Sequence, residues 1–195
     1  MESDNSNPKF KIVMLGDSGV GKTSIVLQLN LHEFRQLVVP TVGSGTYTQT
    51  IPTKYGSPSV TIWDTAGEER YRSFTNLYSQ GASAALIVFD LTDIETFNSL
   101  DNWVKIFLEA SLPNPLIMIL GNKADLEPDR IVSHDKAIEY ARSKGYQYLE
   151  VSAKTGENVE YAFIGIATQL MEREQVNSSQ VNLDDEQIEK NSSCC

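Results

Sequence analysis

Hydrophobic side chains in this chain gather in short runs, and segments with a helical period lie between those runs. Phe10 to Leu15 alternates before it turns wholly apolar, which is typical of a strand that enters a buried sheet. Ala84 to Phe89 and Leu116 to Leu120 are continuous apolar runs, the pattern of parallel strands covered on both faces. Tyr146 to Val151 is shorter and predicts an outer strand.

A hairpin is predicted between the first two of these runs. Thr46 to Pro52 alternates β-branched and polar residues, which is typical of an exposed strand. Lys54 to Pro58 contains the residues of a turn, and Ser59 to Trp63 then returns as a second strand.

Helical patterns separate the strands. The predicted helices cover Ser24 to Leu29, Glu95 to Ala110, Asp135 to Lys144, and about Asn158 to about Glu172. A capping box that begins at Thr92 introduces the second helix, and Gly145 closes the third. Strands that alternate with helices predict an α/β fold with a parallel sheet and right-handed crossovers. Ligands of such sheets bind outside the carboxyl ends of the strands.

The 195 residues allow one domain of ordinary size. The pattern predicts a disordered leader at 1–8, a folded domain at 9–172 with a long loop at 31–44, and a flexible tail at 173–195. A net charge of −10 argues against nucleic acid as a partner, because such a partner needs a basic face. The sequence has no apolar run of about 18 residues and no signal-peptide pattern, and its two cysteines favour a reduced, cytosolic protein.

The strongest chemical signal is the segment Gly16 to Thr23, which fits the phosphate-loop pattern G-x-x-x-x-G-K-[ST]. It lies between a predicted strand and a predicted helix, which is the context that the pattern requires. Its glycines permit a close approach of the backbone, whose N–H groups converge on a phosphate at the positive end of the helix. Lys22 is expected to reach the β- and γ-phosphates, and the Thr23 hydroxyl is expected to bind Mg²⁺.

Asp64 follows the apolar part of the second hairpin strand, within the segment Trp63 to Glu69. An Asp at the end of a buried strand can hold Mg²⁺, usually through water, opposite a phosphate loop. Gly67 can offer its backbone N–H to a γ-phosphate. Together with the phosphate loop upstream, this segment predicts a metal site.

The segment Asn122 to Asp125 follows the apolar strand that ends at Leu120. A guanine base presents two neighbouring donors, N1–H and the exocyclic amino group, and the Asp125 carboxylate can accept both. Adenine has no such pair, so Asp125 is predicted to select GTP over ATP. Asn122 can brace the loop and reach the purine edge, and the stem of Lys123 can lie on the purine face.

Ser152 to Lys154 completes the set after the last strand, where the Ala153 N–H is placed to donate to a purine O6. As an ordered set these motifs resemble the small GTPases of the Ras superfamily, over roughly residues 9–172. Further features resemble the Rab family in particular: Trp63 before Asp64, Glu69 to Tyr71, Tyr78 with Gly81 and Ala82, and the terminal Cys194 and Cys195.

The resemblance implies a single-domain phosphate-loop GTPase fold, with a six-stranded, mostly parallel sheet, one antiparallel edge strand and about five helices. It implies slow hydrolysis of GTP to GDP, and a cycle governed by exchange factors, activating proteins and trafficking effectors. Lys22, Gly67 and Glu68 would act in catalysis, and Thr23, Thr41 and Asp64 would hold Mg²⁺. The implied nucleotide-binding residues are Ser18, Gly19, Val20, Gly21, Lys22, Thr23, Ser24, Phe34, Thr41, Gly67, Asn122, Lys123, Asp125, Ser152, Ala153 and Lys154.

Three departures from the family pattern concern the switches. Glu68 stands where the family has the Gln that orients the attacking water, which predicts slow hydrolysis without an activating protein. The segment Val42 to Thr46 lacks the aromatic residue that normally joins Trp63 and Tyr78 on the effector surface. Ser79 and Gln80 replace the second tyrosine and the arginine of the pattern Y-Y-R-G-A. The effector surface is therefore expected to diverge.

Adjacent Cys194 and Cys195 resemble the double-geranylgeranyl signal of Rab proteins, with unmodified thiols as the alternative. Residues 173–195 carry two basic and five acidic side chains, so membrane attachment is expected to depend on lipids and on the escort machinery that adds them. The expected location is the cytosol and the cytoplasmic face of an intracellular membrane. Tyr47 to Thr50 and Asn102 to Lys105 are similar to early-endosomal members.

Two other functions remain open. The chain could be a pseudo-GTPase, a nucleotide-bound interaction module with negligible turnover, because Glu68 replaces the usual Gln. It could also be a phosphate-loop kinase that uses ATP, although Asp125 and the lack of a basic lid argue against that function. The identity of the nucleotide released on denaturation separates the kinase from the other two.

Overall fold

A computed structural model describes residues 7–34, 44–65 and 72–192, with 72–75 and 177–192 described by their backbone alone. Its six strands are β1 (Lys9–Leu15), β2 (Ser44–Thr50), β3 (Ser59–Thr65), β4 (Ala84–Asp90), β5 (Leu116–Asn122) and β6 (Gln147–Glu150). They form one sheet in the order β2-β3-β1-β4-β5-β6. The edge strand β2 pairs antiparallel with β3, and every other pair is parallel. The predicted six-stranded, mostly parallel sheet is thus confirmed.

The helices in the described residues are α1 (Lys22–Leu31), α2 (Arg72–Ser79), α3 (Ile94–Asn98), α4 (Leu100–Ala110), α5 (His134–Lys144) and α6 (Val159–Ser192). A short 3-10 turn covers Glu127–Asp129. Since α3 and α4 meet at Ser99, they correspond to the one helix predicted there, and the count of about five is confirmed. None of the helices in the described part of the chain combines the length and the apolar character that spanning a bilayer requires.

The predicted capping box at Thr92 is wrong, because the helix cap is Asp93. Asp93 has an extended backbone, and its carboxylate accepts the N–H of Glu95 at 2.9 Å. Thr92 is engaged elsewhere, since its N–H and its hydroxyl both donate to Oδ1 of Asp90. The closing Gly145 is confirmed in its position after α5, with a φ of 73°.

The last helix continues to Ser192, well beyond the predicted end near Glu172. Residues 173–192 contain neither glycine nor proline, so the strongest helix breakers are missing from this segment. The backbone of residues 173–192 is therefore helical, which corrects the prediction of a tail without secondary structure. Its flexibility and the boundaries at 8 and 172 stay predictions.

Helices cover both faces of the sheet, and alternate residues of β1 show the two sides. Ile12 and Met14 belong to the apolar cluster that includes α1 and α6, whereas Val13 and Leu15 belong to the cluster that includes α3, α4 and α5. Every residue of β4 is buried, which explains its continuous apolar run. Because β1, β4, β5 and β6 are parallel, the loops that follow them leave the same end of the sheet. Most of the predicted site residues in the described part of the chain lie on or directly beside the loops after β1, β5 and β6, and Asp64 lies near the end of β3.

Candidate functional site

The phosphate loop runs from the end of β1 to the first turn of α1. At two of its glycines, a side chain would collide with neighbouring residues. A Cβ at Gly16 would lie 2.1 Å from the Val88 carbonyl oxygen, and one at Gly21 would lie 2.3 Å from Nδ2 of Asn122. Both glycines have a positive φ, at 136° and 96°. Any other residue would therefore be strained and would also clash. Ser18 and Gly19 lie exposed on the loop, where their backbone is accessible.

Lys22 is enclosed by this loop and is only 5% exposed. Its ammonium group donates to the carbonyl oxygens of Gly16, at 2.8 Å, and Asp17, at 2.7 Å. Burial lowers the pKa of Lys22 to about 8, although the negative charges of Asp64 and Asp17 act to raise it. A nearby anion stabilises the charged form of a buried lysine, so the loop is suited to hold a phosphate.

Asp64 lies near the end of β3 and is only 2% exposed. Burial raises its pKa, while a hydrogen bond from Thr23 and the charge of Lys22 act in the opposite direction. Its Oδ1 has no hydrogen-bond partner among the described residues, which is unfavourable for a buried carboxylate oxygen. A carboxylate and a hydroxyl oxygen side by side are ligands that Mg²⁺ prefers, so the pair Thr23 and Asp64 fits that ion.

Asn122 is the last residue of β5 and connects three loops. Its Nδ2 donates to the Val20 carbonyl oxygen at 2.8 Å, and its Oδ1 accepts the Ala153 N–H at 3.1 Å. Its own carbonyl oxygen accepts the N–H of Leu91 at 3.0 Å. The predicted contact of the Ala153 N–H with a purine O6 stays a prediction, and in this structure that N–H donates to Asn122.

Asp125 lies on the loop after β5, and its carboxylate is oriented by the loop after β6. The Ser152 hydroxyl donates to Oδ1 at 2.7 Å, and the Lys154 ammonium lies 3.5 Å from Oδ2. Ser152 itself is fully buried and also accepts the N–H of Thr155. The two predicted segments, one at Asn122 to Asp125 and one at Ser152 to Lys154, therefore form one structural unit.

Lys123 adopts a left-handed backbone conformation with a φ of 68°, and its ammonium forms an ion pair with Asp90. Asp90 ends β4, is buried, and also accepts the N–H and hydroxyl of Thr92. Sequence reasoning missed Asp90. The available signal was a single carboxylate at the end of a strand that is otherwise wholly apolar.

The remaining predicted residues lie away from the contacts described above or outside the described part of the chain. Phe34 is 41% exposed and lies at the end of a described segment, while Ser24 lies on α1. On the predicted effector surface, the rings of Trp63 and Tyr78 have centroids 5.9 Å apart, and Thr46 pairs with Trp63 across the sheet. Five of the predicted site residues lie outside the described part of the chain: Thr41, Gly67, Glu68, Cys194 and Cys195. The same holds for Val42, Gly43 and Glu69 to Tyr71 of the family pattern.

A comparison with protein families supports the reading of this geometry. The family model described as Ras family matches residues 11–172, which is most of the chain. The match begins in β1 and ends in α6, so it contains the phosphate loop, Asp64, Asn122 to Asp125, and Ser152 to Lys154. The chain therefore belongs to the Ras family, whose members are small GTP-binding switches that hydrolyse GTP.

Proposed function

We propose that this chain is a Rab-type GTPase that regulates vesicular membrane traffic by cycling between GTP and GDP. One observation carries the nucleotide part of the proposal. The side chain of Asn122 holds the loops after β1 and β6 against the end of β5, which brings the phosphate loop next to Asp125 and Ser152. Phosphate recognition and base recognition therefore belong to one site.

Asp125 is proposed to select guanine. Its side chain is 13% exposed and already oriented by Ser152, so it needs little reorganisation to accept N1–H and the amino group of guanine. Adenine offers this carboxylate no such pair of donors, so an adenine nucleotide would lose the two hydrogen bonds that guanine makes. The stem of Lys123, whose ammonium is held by Asp90, and the ring of Phe34 are proposed to contact the two sides of the purine.

The β- and γ-phosphates are proposed to lie on the backbone N–H groups of residues 18–24, close to the ammonium of Lys22. Thr23, Thr41 and Asp64 would hold Mg²⁺, directly or through water. When bound, Mg²⁺ neutralises negative charge on the β- and γ-oxygens. Oδ1 of Asp64 supports this assignment, because it is a buried acceptor near the Thr23 hydroxyl with no hydrogen-bond partner in the described part of the chain.

For hydrolysis, we propose that Lys22 and the N–H of Gly67 stabilise charge that develops on the γ-phosphate, and that Glu68 stands beside the attacking water. An ionised Glu has no donor and brings a negative charge towards an anionic phosphate, so it orients water poorly. Hydrolysis is therefore slow until an activating protein binds. The same residue favours the second candidate function, a nucleotide-bound module with negligible turnover.

The membrane part of the proposal rests on the paired Cys194 and Cys195, and the Rab subtype also on Trp63 beside Tyr78. Two geranylgeranyl groups give stable anchoring, which the acidic tail cannot supply through charge. The protein would thus move between the cytosol and the cytoplasmic face of an intracellular membrane, with an endosomal membrane favoured by its sequence. Exchange factors, activating proteins, escort machinery and trafficking effectors are its expected partners.

Lipid transfer to the full-length protein tests the Rab assignment. With labelled geranylgeranyl diphosphate and the Rab-type transferase, we expect two lipids on each chain, and only when the escort protein is present. Cys194→Ser and Cys195→Ser should each leave one lipid, while the control Lys190→Ala should leave two. No incorporation into a protein that still binds GDP would contradict the Rab assignment and leave the GTPase assignment intact.

A further inference from the structure

The phosphate loop contains one carboxylate, Asp17, and that carboxylate is held from outside the loop. The indole Nε1 of Trp103 donates to Asp17 Oδ1 at 2.9 Å. The hydroxyl of Ser99 donates to Asp17 Oδ2. Ser99 joins α3 to α4, and Trp103 lies in the first part of α4, so one helix end provides both donors.

A carboxylate in an anion-binding loop is unfavourable unless its charge is compensated by hydrogen bonds. Two donors at the N-terminal end of α4 provide this for Asp17, because they engage one carboxylate oxygen each. Hydrogen bonds to an ionised acceptor are about twice as strong as those between neutral groups. The side chain of Asp17 is therefore anchored firmly to α4.

The backbone of Asp17 is part of the site itself. Its carbonyl oxygen accepts from the Lys22 ammonium at 2.7 Å, beside the Gly16 carbonyl oxygen. A change in the position of Asp17 must therefore move one of the two carbonyl groups that hold Lys22. The anchor on α4 and the position of this lysine are thus linked through a single residue.

We propose that Ser99 and Trp103 are positioning residues for nucleotide binding, which fix the phosphate loop through Asp17 and so slow the release of GDP and GTP. The proposal rests on the proposed function, since it concerns the same nucleotide site. Neither residue belongs to the predicted nucleotide contacts. They act on the phosphates through Asp17 and Lys22.

Conservative variants separate the hydrogen bonds from the packing of α4. Trp103 is 1% exposed in the core, so Trp103→Phe keeps an aromatic ring there and removes the N–H donor. Ser99→Ala removes the second donor with a smaller change. Tyr140→Phe is the matched control, because it removes the hydrogen bond from Tyr140 to Asp101 of the same helix α4, at 3.0 Å, without touching the loop.

The experiment measures the release of a fluorescent GDP analogue from the full-length protein in Mg²⁺ buffer. Trp103→Phe and Ser99→Ala are each expected to speed release by about three- to tenfold, the effect of losing one hydrogen bond of typical net strength. In an Asp17→Ala background, the same two changes should alter release by less than about 1.5-fold, because the shared partner is gone. The preference for GDP over IDP should stay unchanged in every variant, because the base contacts are intact.

Two results would overturn the proposal. One is release from Trp103→Phe and Ser99→Ala that is no faster than from Tyr140→Phe. The other is an equal acceleration in the native and Asp17→Ala backgrounds, which is what general loosening of α4 would give. If the native protein binds no GDP at all, the proposed function fails as well, so the two failures are distinguishable.

Discussion

The side-chain amide of Asn122 donates to the backbone carbonyl oxygen of Val20 over 2.8 Å, and this contact closes the phosphate loop onto the end of β5. The same amide accepts the N–H of Ala153 from the loop after β6. Asn122 is 2% exposed, so neither partner has water as a ready substitute. The geometry of the site therefore depends on one buried side chain as much as on the residues that face a nucleotide.

Replacing Asn122 by alanine should destabilise the protein and weaken nucleotide binding together. The change leaves the Val20 carbonyl oxygen and the Ala153 N–H without this partner. Each such buried group lowers the free energy of unfolding by about 1–3 kcal/mol. Chemical unfolding of the native and variant proteins measures the loss. Asn30→Ala is a suitable control, because Nδ2 of Asn30 also donates to a backbone carbonyl, that of Val26 at 2.7 Å, near the far end of α1. An Asn122→Ala variant with native stability and native GDP affinity would contradict the role of Asn122.

Asp64→Ala should reduce the dependence of GDP binding on Mg²⁺. The carboxylate next to Thr23 is the strongest candidate for a metal ligand in the described part of the site, and its loss removes a negative charge from the ion. Chelation with EDTA should accelerate GDP release strongly from the native protein and only weakly from the variant. Thr65→Val controls for damage to β3, since the Thr65 hydroxyl donates to the Met14 carbonyl oxygen at 2.7 Å and Thr65 is not one of the predicted metal ligands. An EDTA effect of native size in Asp64→Ala would exclude Asp64 as a ligand.

Much of this site could be predicted because its residues follow strand ends in a fixed order. The structure adds contacts that no local pattern reveals. Asp17 and Trp103 are far apart in sequence, and only the packing of α4 against the sheet brings them together. The cap at Asp93, in place of Thr92, depends on backbone angles and on the competing partner Asp90, which a four-residue pattern does not contain.

The region around Glu150 should make stability depend on acid pH. Burial disfavours the charged form of Glu150, but hydrogen bonds from Arg130, Tyr148 and His134 outweigh it, so its pKa is lowered. Because the folded pKa lies below the unfolded value of about 4.3, the stabilisation is complete above that pH and is lost as the pH falls through the folded pKa. The difference in unfolding free energy between native protein and Glu150→Gln should therefore shrink below about pH 4.3.

Glu127→Gln is the control for that measurement, since Glu127 also pairs with Arg130 but its side chain is 69% exposed. An exposed pair contributes only about 0–1 kcal/mol, so this variant should differ little from the native protein at any pH. If the difference in unfolding free energy between the native protein and Glu150→Gln is constant from pH 7 to pH 3, the charge of Glu150 does not stabilise the fold.

Glu68→Gln should raise the rate of GTP hydrolysis and leave nucleotide affinity nearly unchanged. In the proposed function, the amide restores a hydrogen-bond donor for the attacking water and removes a negative charge that would oppose the γ-phosphate. Single-turnover hydrolysis by the native and variant proteins, with and without an activating protein, measures the effect. Glu69→Gln, the neighbouring change of the same chemistry, is the matched control. If the Glu68→Gln variant is no faster than the native protein, Glu68 does not limit hydrolysis.

The most direct test of the account is the affinity of one nucleotide-free preparation for GDP and for ADP, each measured with Mg²⁺. A site in which Asp125 accepts two guanine donors should prefer GDP by about 10⁴-fold, and Asp125→Asn should remove most of that preference while the phosphate contacts remain. Binding of ADP within about tenfold of GDP, or the absence of binding for both nucleotides, would contradict the assignment of this chain as a guanine-nucleotide switch.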